Sequence, residues 1–193
     1  MIAVSSESLR SLRPAAAETF DWQGRTVILR ALRPDDAMLL RVLATHVPPS
    51  DIGLAGPVAE ETAALATSVR HVRADGSGVP AFIAVDIDED GRCEALGCVR
   101  SMIDEEGVEA TLAIALRHDV KGRRLGHRLV EKAVEVLHGR GARQVSVRVL
   151  AANETMRALL RELGFVMDPR RAAPGRVVYL HDAAAAYGAG SAA

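Results

Sequence analysis

Apolar positions change period several times along this chain, and each change marks an element. Residues 26–31 form a short apolar run that reads as a first strand. Pro34 then opens a helix, with Asp35 and Asp36 in its first turn and Leu39, Leu40 and Leu43 behind them. Weaker helical spacing at Leu65, Val69 and Val72 predicts a second helix over 59–72. Three strands follow at 80–87, 93–102 and 108–116, separated by the polar turns Asp88-Glu89-Asp90-Gly91 and Asp104-Glu105-Glu106-Gly107. Connections this short predict an antiparallel meander. The period then lengthens: Leu125, Leu129, Ala133, Val136 and Leu137 trace one face of a helix that Gly139 and Gly141 close. Val145, Val147 and Val149 alternate in a strand over 144–150. A helix follows over about 154–163, with Met156, Leu159, Leu160 and Leu163 inward and Gly164 at its end. A last strand covers 176–181. The predicted order is β-α-α-β-β-β-α-β-α-β, an α+β protein with a mixed sheet and helices packed on it.

Outside these elements the pattern fades. Residues 1–20 read as a loose N-terminal extension and 183–193 as a flexible Ala/Gly tail, leaving a single domain over 21–182. No run approaches the roughly eighteen apolar residues of a membrane helix. The first twenty residues lack the continuous apolar core of a secretory signal, so the expected location is the cytoplasm. With 24 Lys+Arg against 25 Asp+Glu, a net charge of -1 excludes the large basic excess of a general nucleic-acid binder. Cys93 and Cys98 stand five apart in one predicted strand. Their side chains are expected on opposite faces, which excludes a disulfide, and two lone thiols make no metal framework. The six histidines, at 46, 71, 118, 127, 138 and 181, show no ligand spacing, and no metal is expected.

Charge becomes informative only where it clusters. Lysine is nearly absent, Lys121 and Lys132 being the only two, and arginine is abundant throughout. Arg117-His118-Asp119-Val120-Lys121-Gly122-Arg123-Arg124-Leu125-Gly126-His127-Arg128 joins a strand to a helix and carries five Lys/Arg side chains. Cations at a helix N-terminus oppose the macrodipole unless an anion joins them, and the unpaired N–H groups there attract anions. A solvated basic helix start is one reading. A phosphate or pyrophosphate site is the other, and Gly122 and Gly126, which let a ligand approach the main chain, favour it.

Lys121-Gly122-Arg123-Arg124-Leu125-Gly126 resembles the Gln/Arg-x-x-Gly-x-Gly/Ala pyrophosphate loop of the GNAT acyltransferase superfamily, with Lys121 at the first position and Arg124 at the middle glycine. Its setting agrees with that family: a strand before, a helix and strand after, then Ala152-Asn153-Glu154-Thr155-Met156 and Leu163-Gly164-Phe165. The resemblance covers about residues 25–181. Leu32-Arg33-Pro34-Asp35-Asp36 and Val149-Leu150-Ala151-Ala152-Asn153 make the chain most similar to the GNAT domain of bacterial protein lysine acetyltransferases. The resemblance implies a central, mostly antiparallel sheet of about 6–7 strands flanked by about 4 helices. It implies an N-acetyltransferase that moves an acetyl group from acetyl-CoA to a primary amine, a protein lysine or a small molecule, by direct attack in a ternary complex. Pantetheine would run beside Ile114, Ala115 and Leu116. Pyrophosphate would sit on the amides of Gly122, Arg123, Arg124, Leu125, Gly126 and His127, with Lys121, Arg123 or Arg124 adding charge. Asn153 would touch the cofactor or would simply cap its helix. A monomer or homodimer is the default for the family.

An amine acceptor arrives protonated and must lose that proton before it attacks. The glutamate usual in the lysine acetyltransferases falls on Thr111, whose hydroxyl is no base near neutral pH. Glu109, on the same strand face and about 6.6 Å away, offers a substitute acting through water, or is a plain polar residue at a strand start. The tyrosine that protonates the departing thiolate in many relatives is replaced by Leu160. These two departures leave open a second reading, a degenerate GNAT domain that binds acyl-CoA as a sensor. The acceptor would be chosen by the segment from about His46 to Gly78.

Overall fold

A computed structural model describes residues 2–3, 17–47, 80–88, 91–120 and 124–183. Nine strands form one sheet: β1 (Ile2–Ala3), β2 (Glu18–Trp22), β3 (Arg25–Ala31), β4 (Ala81–Ile87), β5 (Arg92–Ile103), β6 (Glu109–Leu116), β7 (Gln144–Leu150), β8 (Val166–Ala173) and β9 (Arg176–Asp182). Eight follow the order β2-β3-β4-β5-β6-β7-β9-β8, and β1 pairs with the start of β5. Every pairing is antiparallel except β6–β7. The described helices are α1 (Ala37–His46), α2 (Leu125–Gly139) and α3 (Glu154–Glu162), and the helix expected over 59–72 lies outside the described residues.

The helices divide the core in two. Leu125, Leu129, Ala133 and Leu137 of α2 and Leu160 of α3 pack with Leu112, Val145 and Val147 on one face of the sheet. Leu40, Leu43 and Ala44 of α1 pack with Ile83, Val85 and Ala115 on the other. Pro34 starts a 3-10 turn, not the α-helix itself, which begins at Ala37. Asp36 stands at the N-cap of α1, and both its oxygens accept from the buried Arg30 guanidinium at 2.7 Å, which ties the turn to β3. Removing one partner of so buried a pair costs about 3–5 kcal/mol.

Three strands exceed the prediction, β1, β2 and β8. β2 begins at Glu18, inside the segment expected to be loose, and pairs residue by residue with β3. β8 shows almost no buried face, so its sequence carries no alternation to detect. A further difference concerns the cysteines. Between β4 and β5 the register steps, with Ala84 opposite Gly97 and Val85 opposite Ala95, which leaves Leu96 as the extra residue of a bulge. Alternation restarts after it. Cys93, Ala95 and Cys98 therefore all pack on the α1 side, while Leu96 and Val99 face α2. The expectation of opposite faces is corrected: both thiols are free and buried on one side, and burial pushes Cys98 up to about 12.

Candidate active site

Strand β6 has a neighbour on both sides for only half its length. β5 accompanies it from Ala110 to Leu116, but β7 pairs with it only from Glu109, opposite Gln144, to Leu112, opposite Val147. Past that row the two parallel strands part, and among the described residues no strand lies beside the β7-facing edge of residues 113–116. A cleft of about 380 Å³ opens there. Ile114 and Leu116 form one wall, Arg124, Gly126 and His127 at the start of α2 the floor, and Asn153, Met156 and Leu159 of α3 the other wall.

The floor is built for close approach. The first intrahelical bond of α2 runs from the Arg128 N–H to the Arg124 carbonyl, so the amides of Leu125, Gly126 and His127 precede it without an intrahelical acceptor. A Cβ at Gly126 would lie 2.8 Å from Leu159 Cδ1 and 2.9 Å from Leu116 Cδ1. Only glycine lets the helix start settle between the two walls. Arg124, at the N-cap, is left-handed with φ 63°, a conformation that costs a side-chain-bearing residue about 1 kcal/mol or more.

The basic stretch is less concentrated in space than in sequence. Arg117 donates to Glu94 and Asp119 at 2.8 Å, and that contact holds the Asp119 carboxyl below its usual range. The Arg128 guanidinium stacks over the Phe20 ring at 5.3 Å. Arg124 lines the cleft, whereas Lys121, Gly122 and Arg123 lie outside the described residues. Of the strand residues, Ile114 and Leu116 face the cleft but Ala115 packs on the α1 side. The Leu125 side chain is in the core, leaving only its amide toward the floor. Asn153 does two things: its Oδ1 accepts the Met156 N–H at 3.1 Å, and it lines the cleft. Leu160 is fully buried.

On the other face of β6, Glu109 is held by Arg171 at 2.5 Å. Between Asp168, opposite Val178, and Ala173, opposite Arg176, β8 carries four residues against one on β9, and this excursion brings Arg171 to β6. The pair raises the Arg171 guanidinium above its ordinary value. Thr111 contacts Ser146 of β7, Oγ1 to Oγ, at 3.0 Å. Sequence reasoning missed Arg171 and Ser146, and it took Met156 and Leu159 for core. A half-exposed helix face and a buried one share the same spacing, so nothing in the sequence separates them. Among the described residues no group of three or more His, Cys, Asp or Glu is placed to hold a metal ion. No helix among them is long and apolar enough to cross a membrane.

A sheet that splits beside a helix start carrying Arg124 offers an open strand edge and N–H groups that suit an extended, anionic ligand. Comparison with known proteins gives the class. A family model described as the acetyltransferase (GNAT) family matches residues 57–165. The chain is 29% identical over 164 residues to the acetyltransferase PA5475 of Pseudomonas aeruginosa, covering 81% of this chain and 87% of that one. Its fold matches the GNAT domain of S. lividans PAT at TM-score 0.68, with 22% identity over 88% of this chain and 99% of that one. It also matches the PaiA N-acetyltransferase of Thermoplasma acidophilum, solved in complex with coenzyme A, at TM-score 0.62, with 13% identity over 81% and 98% of the two chains. The chain belongs to the GNAT acetyltransferase family, whose activity is the transfer of an acetyl group from acetyl-CoA.

Proposed function

We propose that this protein acetylates a primary amine, on a protein lysine or a small molecule, by direct attack within a ternary complex. The observation that carries the reading is the unpaired edge of β6 over residues 113–116, open to the cleft. Pantetheine amides running beside Ile114, Ala115 and Leu116 would complete that edge as an added strand does. The amides of Gly122, Leu125, Gly126 and His127 would take the pyrophosphate, with Lys121, Arg123 and Arg124 supplying charge and Asn153 a polar contact at the α3 wall. The amine comes from the opposite face, where β6 presents Glu109, Thr111 and Ala113. Its nitrogen forms a bond to the acetyl carbon, the carbon–sulfur bond breaks, and the departing thiolate takes a proton from solvent. The proton lost by the amine passes through water to Glu109, whose carboxylate Arg171 holds in place. The Arg171 contact engages Oε1, and Oε2 is the oxygen left to the relay.

Thiol release from acetyl-CoA, measured against a panel of amines and lysine peptides, tests this reading. Release above background is expected for at least one amine, and Glu109→Gln should lower it about tenfold or more. Unchanged turnover in that variant removes Glu109 from the mechanism. Background release with intact acetyl-CoA binding would instead leave an acyl-CoA sensor.

A further inference from the structure

Thr111 occupies a special row of the sheet. It faces Met102 of β5 on one side and Ser146 of β7 on the other, one residue before the last row that joins β6 to β7. The next side chain on its face is Ala113, a methyl group with no β7 partner beside it. Thr111 is therefore the last polar group on the amine-facing surface before the sheet opens. It is half-buried, Ser146 is buried, and Met102 is exposed.

The direction of its hydrogen bond follows from its neighbour. Ser146 Oγ lies 3.2 Å from the Ala110 carbonyl, and a carbonyl only accepts, so the single Ser146 proton goes there. Both contacts are hydrogen bonds together only when the Thr111 proton makes the 3.0 Å contact between the two hydroxyls. With that proton spent, Thr111 Oγ1 has only lone pairs to offer. It can accept from a nucleophile but cannot donate to one.

We propose that Thr111 orients the attacking amine by accepting one of its N–H bonds, and that the Ser146–Ala110 relay keeps the hydroxyl in this acceptor-only state. The inference rests on the amine-transfer reading above. A neutral primary amine has two N–H bonds and one lone pair. Giving one N–H to Thr111 turns the lone pair toward the acetyl carbon and leaves the nitrogen able to shed its extra proton to water after the bond forms. An alcohol has a single O–H, which it cannot both give to Thr111 and release to water. The arrangement thus selects nitrogen over oxygen nucleophiles without requiring any charge on Thr111.

Three variants of the full chain test the assignment, each assayed by thiol release under varied amine and by calorimetry with acetyl-CoA. Thr111→Val keeps the shape and removes the lone pairs, and should lower kcat/KM for the amine about tenfold to hundredfold while acetyl-CoA affinity stays within about twofold. Thr111→Ser should keep activity within about threefold. Ser146→Ala frees the Thr111 proton to point outward and should give an intermediate loss of about threefold to tenfold. Equal losses in the Val and Ser variants, or a parallel loss of acetyl-CoA affinity, would mean packing and not orientation. Wild-type turnover of amines with Thr111→Val unimpaired overturns this inference alone. Wild-type turnover of alcohols with none of amines overturns the amine reading and this inference together.

Discussion

Helix α2 borders two cavities of nearly the same size and opposite character. The cleft at its N-terminus measures about 380 Å³ and is floored by Arg124, Gly126 and His127. The cavity beside its C-terminal half measures about 360 Å³ and is lined by Glu131, Glu135, His138 and His181 over an apolar base of Val134, Leu163 and Phe165. The first collects N–H groups without an intrahelical acceptor, the positive end of the helix dipole and a guanidinium, against one carboxylate, Glu162, which lies 3.6 Å from His127 Nε2. The second sits toward the negative end and adds two carboxylates. An anionic ligand finds room in both and a favourable field in one. Volume alone does not tell the two cavities apart, and the sign of the field does.

The largest expected effect comes from filling the first cavity. A Cβ at Gly126 already meets Leu159 and Leu116 below 3 Å, so Gly126→Val forces both walls outward or into the cleft. Acetyl-CoA affinity should fall by about two orders of magnitude, and stability by about 1–3 kcal/mol. Calorimetry and denaturant unfolding measure the two. The matched change in the second cavity, Glu131→Gln with Glu135→Gln, should leave affinity within about twofold. If the double variant loses binding as heavily as Gly126→Val, the cofactor does not sit where the cations do, and the comparison collapses.

A smaller effect separates the cavities by pH. His138 Nδ1 lies 2.7 Å from the Ala142 carbonyl, so that nitrogen carries a proton, and in the neutral ring His138 Nε2 accepts from His181 Nδ1 at 3.0 Å. Burial, and next the neighbouring His138, push His181 below the ordinary histidine range. The sign follows: the unfolded chain binds this proton more readily than the folded one. Stability is fully present above about pH 6.5 and declines as the pH falls through that value toward the depressed folded one. The slope cannot exceed about 1.4 kcal/mol per pH unit for one proton. His181→Gln, whose amide can still donate to His138, should flatten unfolding midpoints between pH 7.5 and 5.5 and leave acetyl-CoA affinity unchanged. A slope that survives the substitution places the titrating group elsewhere.

The sequence made much of the first cavity legible and almost none of the second. Alternation in 80–87 and 144–150 and the helical spacing from Leu125 onward reveal the elements, because one face of each is buried and the period records it. β8 has no such face, and Pro169 interrupts it. Cys93 and Cys98 mislead because a period of two assumes an unbroken ladder. The one hint of the bulge is the isolated Gly97, where a Cβ would lie 2.5 Å from Leu116 Cδ2 and 3.0 Å from the Ala115 carbonyl. The basic stretch points to the cleft, yet composition cannot say that Arg117 is spent on Glu94 and Asp119, or Arg128 on Phe20. The histidine pair joins residues 43 apart in the chain, and Arg171 meets Glu109 across 62. Contacts of that range belong to the fold and leave no local pattern.

The smallest effect probes what the cation at the first cavity costs the backbone. Apart from Gln23 in the β2–β3 turn, Arg124 is the only described non-glycine residue with positive φ, and none lies at the second cavity. Arg124→Ala and Arg124→Gly remove the same charge, so both should weaken acetyl-CoA binding by a similar factor, about threefold to tenfold for one partly exposed cation. They differ only in how they tolerate φ 63°. The glycine variant should be more stable than the alanine variant by about 1 kcal/mol, the reverse of their order in a helix interior. Denaturant midpoints at equal m-value measure the difference. Equal stability would mean that the turn before α2 relaxes to negative φ once the guanidinium is gone. The left-handed turn would then be a consequence of where Arg124 reaches, and the strain would belong to the side chain's position at the cleft and not to the path of the chain.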